Sequence, residues 1–278
     1  MKKKVLVVED DRPTRLLLQT VLKNAGYSTQ PARDGVEALK KLRAKNFDLV
    51  VADIWMPRMN GLELMAHLRN EPRSPRVIVM TSDNTPETLL RAVREQAYQY
   101  LTKPVQPEAL LKLVEEALAA TPGLPPIEVL SAKPHWVELL VPCDLNAAER
   151  IEGFIARLDA DLAEDARQSV GQVFHEMLAN AVEWGGKLDP NRKVRISYLR
   201  ARRMVLYRIA DPGQGFKFEE LAHAAVSYAP DQVLDHVSVR QEKGLRPGGF
   251  GILLARAMVD ELLYNEVHNE VVFVKYLD

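Results

Sequence analysis

The stretch Lys4-Val5-Leu6-Val7-Val8-Glu9-Asp10-Asp11 decides how the first part of this chain folds. Four consecutive apolar residues without polar alternation suit a strand buried on both faces, as in the centre of a parallel sheet. The run stops abruptly on three carboxylates, so acidic groups crowd the carboxyl end of that strand. From here strand and helix patterns alternate. The spacing of Leu16 to Leu22 predicts a helix, with Pro13 near its start, where a missing N–H is tolerated. Tyr27 to Gln30, Asp48 to Ala52, Arg76 to Met80 and Tyr98 to Leu101 predict strands. Val36 to Arg43, Gly61 to Leu68, Pro86 to Glu95 and Glu108 to Ala119 predict the helices between and after them. Such alternation implies an α/β domain over 1–120, a five-stranded parallel sheet with helices on both faces. Ligands in these folds bind beyond the carboxyl ends of the strands.

Thr121-Pro122-Gly123-Leu124-Pro125-Pro126 ends the alternation. Its prolines cannot continue a helix and favour an extended joint, so 121–131 is expected to be a linker. Residues 132–278 then predict an α+β domain with helices on an antiparallel or mixed sheet. Its strands are Val137 to Val141, Lys193 to Leu199, Met204 to Ala210 and Val271 to Tyr276. Its helices are Ala147 to Leu162, Ala166 to Val182 and Gly251 to Leu262. Arg200-Ala201-Arg202-Arg203 falls between two strands as a solvated hairpin turn.

Composition excludes several function classes. The 278 residues carry a formal net charge of -1, with 47% hydrophobic and 27% charged residues. That is the balance of a soluble globular protein with no general attraction to nucleic acid or membrane. Cys143 is the single cysteine, which rules out an internal disulfide and a cysteine-based zinc cluster and suits a reducing compartment. The basic start Lys2-Lys3-Lys4 is followed by too short an apolar run for a signal peptide, and no segment is long enough to span a bilayer. A cytoplasmic location is expected. No helix-turn-helix is recognisable, so direct DNA binding is not expected.

The first candidate site lies where the parallel strands end. Glu9 and Asp10 follow the first strand and Asp53 the third, so three carboxylates converge and would repel one another without a cation. A hard divalent ion such as Mg2+ matches oxygen ligands of this kind. Thr81 ends the fourth strand and Lys103 follows the fifth. A metal, a hydroxyl and an ammonium around one carboxylate are what a phosphoryl group of charge near -2 needs.

On these residues, the first domain resembles the receiver domain of bacterial two-component response regulators. The run Asp53-Ile54-Trp55-Met56-Pro57-Arg58-Met59-Asn60-Gly61, the acid pair Glu9 and Asp10, Thr81, and Lys103 followed by Pro104 carry the resemblance. It implies that Asp53 accepts phosphate from an upstream histidine kinase. Glu9, Asp10, Asp53 and the backbone carbonyl of Trp55 would hold Mg2+, and Thr81 and Lys103 would bind the phosphoryl oxygens. Tyr100 occupies the aromatic switch position and would follow Thr81 inward. Trp55 and Asp83 stand where side chains flank the phosphoryl group, and bulky Trp55 is expected to slow attack by water.

The second candidate site is assembled from three separated stretches. Glu176 and Asn180, four apart on a predicted helix, share one face. An amide oxygen there can complete the shell of Mg2+ on ATP, and a carboxylate can orient a nucleophile. Asp211 ends a strand and is followed by Gly213 and Gly215. Glycine permits close approach to a planar ligand, and the aspartate can accept from an exocyclic amine. Gly248, Gly249 and Gly251 precede a helix whose N-terminus would face phosphate. Pro230 to Pro247, long, polar and irregular, suits a mobile lid. His175-Glu176 is not a zinc motif, because position 179 is Ala. No dimerising hairpin carries His175 as a phosphoacceptor, so a hydrogen-bonded or core-facing histidine is expected.

This half is similar to the Bergerat-fold (HATPase) superfamily, and within it to the anti-sigma-factor serine kinases. Glu176 and Asn180 match the N-box, Asp211, Gly213 and Gly215 the first glycine box, and Gly248, Gly249 and Gly251 the second. Lys133-Pro134-His135-Trp136, Val141-Pro142 and Met258-Val259-Asp260-Glu261 fit the same branch. The resemblance implies ATP with Mg2+ as cofactor, Asn180 as Mg2+ ligand, Glu176 as general base and Asp211 as adenine contact. The substrate would be a serine or threonine on an anti-anti-sigma protein, with a sigma factor as the other partner. Trp184 departs from the family, which has His there, and bears on kinase rate more than on ATP binding. Two outcomes stay open: a phosphorylation-controlled kinase, or a non-catalytic ATP-holding module that captures a partner. Both resemblances suggest a homodimer, with no interface readable in the sequence.

Overall fold

The computed structural model describes residues 2–69, 71, 74–83, 85–119, 125–133, 135–217 and 250–277. The chain divides into two compact units, Met1–Gly123 and Leu124–Asp278. The first alternates β1 (Lys4–Val8), α1 (Arg12–Asn24), β2 (Ser28–Ala32), α2 (Gly35–Ala44), β3 (Leu49–Asp53) and α3 (Gly61–Leu68). It continues through β4 (Arg76–Thr81), α4 (Pro86–Arg94), β5 (Gln99–Thr102) and α5 (Pro107–Ala119). The strands form one parallel sheet in the order β2-β1-β3-β4-β5, the flavodoxin-like α/β fold. Val5, Val7, Leu49, Val51, Ile78 and Met80 pack with Leu18, Leu22, Leu110 and Val114 of α1 and α5. Leu6, Val8, Val50 and Ala52, on the opposite face, are also buried, which explains the lack of polar alternation in these strands.

Helix starts in this unit follow their capping residues. Asp11 accepts from the Thr14 N–H at 2.9 Å, so the third carboxylate after β1 belongs to α1. Asp34 caps α2, and Asn60 with Glu63 forms a capping box at α3.

The second unit comprises β6 (Glu128–Lys133), β7 (Trp136–Pro142), α6 (Leu145–Leu158) and α7 (Glu164–Asn180), then a π-helical turn, Ala181–Gly185. There follow β8 (Lys193–Ala201), β9 (Met204–Ala210), α8 (Gly251–Met258), β10 (Glu261–Tyr264) and β11 (Glu270–Tyr276). The sheet is antiparallel throughout, in the order β10-β11-β9-β8-β7-β6. Alternate residues Val137, Leu139, Val194, Ile196, Val205, Tyr207, Ile209 and Phe273 are buried. On the face between them lie ion pairs such as Arg208 with Glu270, whose two nitrogens each sit 2.6 Å from a carboxylate oxygen. Period-two patterning of this kind marks a sheet covered on one face.

Several expected boundaries shift. Strand β6 begins inside the stretch expected as linker, and pairs with β7 through a bulge between Val129 and Ser131. Helix α6 ends at Leu158 rather than Leu162, because Asp159 accepts hydrogen bonds from Tyr198 and Tyr207 on the sheet. Helix α7 passes into the π turn after Asn180. Helix α8 stops at Met258, four residues short of the expected end: Val259 is extended, with φ -115 and ψ 162, and Glu261–Tyr264 pairs with β11. The apolar run Leu262-Leu263-Tyr264 fits either period when read alone. The turn expected at Arg200 to Arg203 falls on Arg202 and Arg203.

Candidate functional site

At the carboxyl edge of the parallel sheet, Glu9, Asp10 and Asp53 each place a carboxylate oxygen within 4.8 Å of the others. Glu9 and Asp53 are buried and Asp10 is exposed. The Lys103 ammonium bridges two of them, 2.7 Å from Asp53 Oδ2 and 2.8 Å from Glu9 Oε2. The Trp55 N–H donates to Asp53 Oδ1 at 3.3 Å. Arg15 holds the backbone carbonyls of Glu9 and Asp10, which fixes the acidic loop.

Burial raises the Asp53 carboxyl above the usual carboxylate range, against the opposing pull of Lys103. Glu9 is raised too, by burial and by the Asp53 charge, again opposed by Lys103. For Lys103 burial acts downward, but the two carboxylates outweigh it and the ammonium is held more tightly. Three carboxylates facing one ammonium leave a formal charge near -2, with Glu9 and Asp53 buried. These residues fit a divalent cation with oxygen ligands, the role expected for Glu9, Asp10 and Asp53.

The remaining residues of this site lie close by in the chain order expected. Thr81 is buried at the end of β4, donating to the Asp83 carbonyl at 3.1 Å and accepting from the Asp83 N–H at 3.0 Å. The Asp83 carboxylate turns to the start of α4, accepting from the Thr85 N–H and the Thr88 hydroxyl, beside the capping residue Thr85. Tyr100 is buried. Gly61 explains its own identity: a Cβ there would meet the Asp53 backbone carbon at 3.0 Å and Ile54 Cα at 3.1 Å. The loop from the phosphoacceptor candidate into α3 therefore closes tightly on the end of β3.

In the second unit, three stretches far apart in sequence meet. On α7 the Glu176 carboxylate lies against Gly251, the first residue of α8; a Cβ at 251 would stand 2.5 Å from Glu176 Oε2. Asn180, one turn further along α7, leads into the π turn, whose last residue Gly185 presses on the Asp211 side chain. Gly213 completes the contact: its N–H donates to Asp211 Oδ1 at 2.7 Å, and its Cα side faces both Asp211 and Gly185. Burial raises the Asp211 carboxyl, offset in part by the Gly213 N–H and Arg192. Gly215 has φ +82 and packs against Val267, so it shapes the turn. The Gly213 carbonyl and the Phe216 N–H tie that turn to Asn269 and Val267.

Glu176, Asn180, Asp211, Gly213 and Gly251 thus belong to one connected region. At Gly185, Gly213 and Gly251 an added Cβ would strike Asp211 or Glu176, so these glycines allow the backbone to pack closely on the two carboxylates. Gly248, Gly249 and the expected lid Pro230 to Pro247 lie outside the described residues. His175 is exposed and pairs with Glu152 at 3.0 Å, on the α6 side of α7. Trp184 stands within the π turn and is 48% exposed. Gly185 is the residue that sequence reasoning missed; the doublet Gly185-Gly186 directly after the N-box helix was the available signal.

Fold and sites together define a two-part signalling protein: residues 5–115 match the response regulator receiver domain family, and residues 141–275 the histidine kinase-like ATPase domain family. These matches place a receiver domain before an ATPase-like domain in one chain. It is 38% identical over 117 residues to the transcriptional regulatory protein ZraR of Klebsiella oxytoca, covering 42% of this chain and 26% of that protein. It is 38% identical over 104 residues to the Regulator of RpoS of Escherichia coli (strain K12), covering 37% of this chain and 31% of that protein. The chain therefore spans about a quarter to a third of the length of these curated relatives. Among solved structures, chemotaxis protein CheY4 of Vibrio cholerae is 32% identical, with a TM-score of 0.41, over 42% of this chain and 100% of that one. Among the described residues no helix is long and apolar enough to cross a membrane.

Proposed function

We propose that this protein is a cytoplasmic response regulator, phosphorylated on Asp53, that controls an ATP-dependent protein kinase activity of its second unit toward an anti-anti-sigma protein. The observation that carries the output half is the convergence of three sequence boxes: Glu176 meets Gly251, and the turn after Asn180 meets Asp211.

In the receiver, an Asp53 oxygen attacks the phosphorus of a phosphohistidine on an upstream histidine kinase. An acyl phosphate forms as the P–N bond breaks, and the leaving imidazole takes a proton from solvent. Lys103 neutralises the phosphoryl oxygens, and Thr81 exchanges its bonds to Asp83 for one to the phosphoryl group, with Tyr100 following. Glu9, Asp10, Asp53 and the Trp55 carbonyl would hold a magnesium ion, which would supply the remaining positive charge.

In the output unit, Asp211 would accept from the adenine amine and Asn180 would contribute an oxygen to the magnesium of bound ATP. Glu176 removes the proton from a serine or threonine hydroxyl of the partner. That oxygen bonds to the γ-phosphorus as the bond to ADP breaks. Positioning and charge neutralisation dominate reactions of this class.

A second reading is supported by Trp184, exposed near the catalytic end of α7 where the serine kinases have His. In it, ATP is a structural ligand and the output is capture of a sigma factor or its antagonist. Incubation with labelled ATP, Mg2+ and anti-anti-sigma candidates, with and without a small phosphodonor, separates the two. Label on a partner hydroxyl, lost in Glu176→Gln and altered by the phosphodonor, supports the kinase. Tight ATP binding with stable partner capture and no transfer supports the binding module.

A further inference from the structure

The π turn Ala181–Gly185 brings backbone against a carboxylate. A Cβ placed on Gly185 would overlap Asp211 Cγ and Oδ1 and stand 2.5 Å from Asp211 Cβ. Gly185 does not have a left-handed φ, so its conformation does not call for glycine; the close approach does. Gly171, on the same helix system, provides the contrast, since a Cβ added there would meet nothing within 4 Å. On its other side Asp211 meets Gly213, where a Cβ would lie 2.7 Å from Asp211 Oδ1 and 3.0 Å from Gly185 Cα. Two glycines from different elements therefore enclose one carboxylate. Among the described residues, the Gly213 N–H is the hydrogen-bond donor it receives, on Oδ1.

The turn itself creates this approach. A regular α-helix running on from Asn180 would place each residue about 100° round from the last. The π turn closes instead with the Gly186 N–H on the Ala181 carbonyl at 2.8 Å, a five-residue step. That wider step redirects residue 185 toward the end of β9.

We propose that Gly185 is a positioning residue for nucleotide selection: its missing side chain lets the turn after α7 lock Asp211 in the one arrangement that receives an adenine amine. The inference rests on the ATP reading above. Its chemical consequence is base selectivity, since a carboxylate held in place rewards an amine donor and repels a carbonyl oxygen at the same position of the purine.

The test compares MgATP with inosine triphosphate, which carries a carbonyl where ATP has the exocyclic amine, by titration calorimetry on the full chain. Wild type is expected to prefer ATP by about tenfold or more, the range for a hydrogen bond to a charged acceptor. Gly185→Ala should lose that preference to the level of Asp211→Asn, and the double variant should lose no more. Gly171→Ala should keep it. Equal preference in wild type and Gly185→Ala, or losses that multiply in the double variant, would overturn the inference while leaving ATP binding intact. Wild type that binds neither nucleotide removes the ATP reading, and the inference with it.

Thermal unfolding gives an arm independent of nucleotide. Gly185→Ala should lower the melting temperature of the second unit, and the loss should shrink when Asp211→Gly removes the side chain it strikes. An undiminished loss in the Asp211→Gly background would mean that Gly185 serves packing elsewhere.

Discussion

At the scale of single residues, Asp53 and Trp55 make the sharpest expectations. Asp53→Asn should take up no label from a small phosphodonor while retaining the fold. Trp55 donates its N–H to Asp53 and leaves its indole 51% exposed beside the site. Trp55→Ala should shorten the lifetime of the phosphorylated form several-fold, read as decay of acid-labile label; an unchanged or longer lifetime excludes shielding by the indole. Asp159 is a different case, a buried carboxyl between two tyrosine hydroxyls that is pushed up to about 6, chiefly by burial. Because the folded state favours its protonated form, this group's stabilisation is complete below about pH 4 and fades as pH rises through about 6. Asp159→Asn should therefore flatten the pH dependence of the second unit's urea midpoint between those values, by about 1–3 kcal/mol. Parallel pH slopes for the two proteins would contradict this. The placement of Glu9, Asp10, Asp53, Thr81 and Lys103 was legible in the sequence because each ends or follows a parallel strand, and topology brings such ends to one edge. The doublet Gly185-Gly186 signalled a turn but not its target, because what Gly185 avoids is a side chain on another element.

At the scale of elements, the loop from β3 to α3 shows how a glycine sets a site. Gly61→Ala would push a methyl group into the backbone of Asp53 and Ile54, which cannot move aside as a side chain could. A loss of about 1–3 kcal/mol in receiver stability is expected, together with slower phosphorylation, measured by denaturant unfolding and by label uptake. Stability within a few tenths of wild type would show that the loop has room to relax. Helices α2 to α5 were readable to within a residue, whereas α1 starts at Arg12, four residues before the expected Leu16, where Asp11 caps it. In the second unit α8 carries no side-chain cap, and its end depends on β10 finding β11. Strand β6 was hidden for a related reason: it lies at a sheet edge, beside prolines, and its apolar content is modest. Pairing partners decide such short segments, and pairing is not local information.

At the scale of the whole molecule, two compact units each carry one candidate site. Calorimetry should resolve two transitions, with MgATP raising the one that Asp159→Asn alters. A ligand at a hundred times its Kd adds about 2.7 kcal/mol to the unit that binds it. Coupling between the units has a strict signature: if a beryllium fluoride phosphoryl mimic on Asp53 changes ATP affinity by some factor, ATP must change affinity for the mimic by the same factor. Unequal factors would mean that the two measurements report different equilibria. The positions of Trp55 and Trp184 give a way to follow both. One indole adjoins the phosphoacceptor candidate and the other sits in the turn that grips Asp211, each about half open to solvent. Variants keeping one or the other would turn intrinsic ultraviolet emission into two separate gauges, one for the switch and one for the output, in an unlabelled protein.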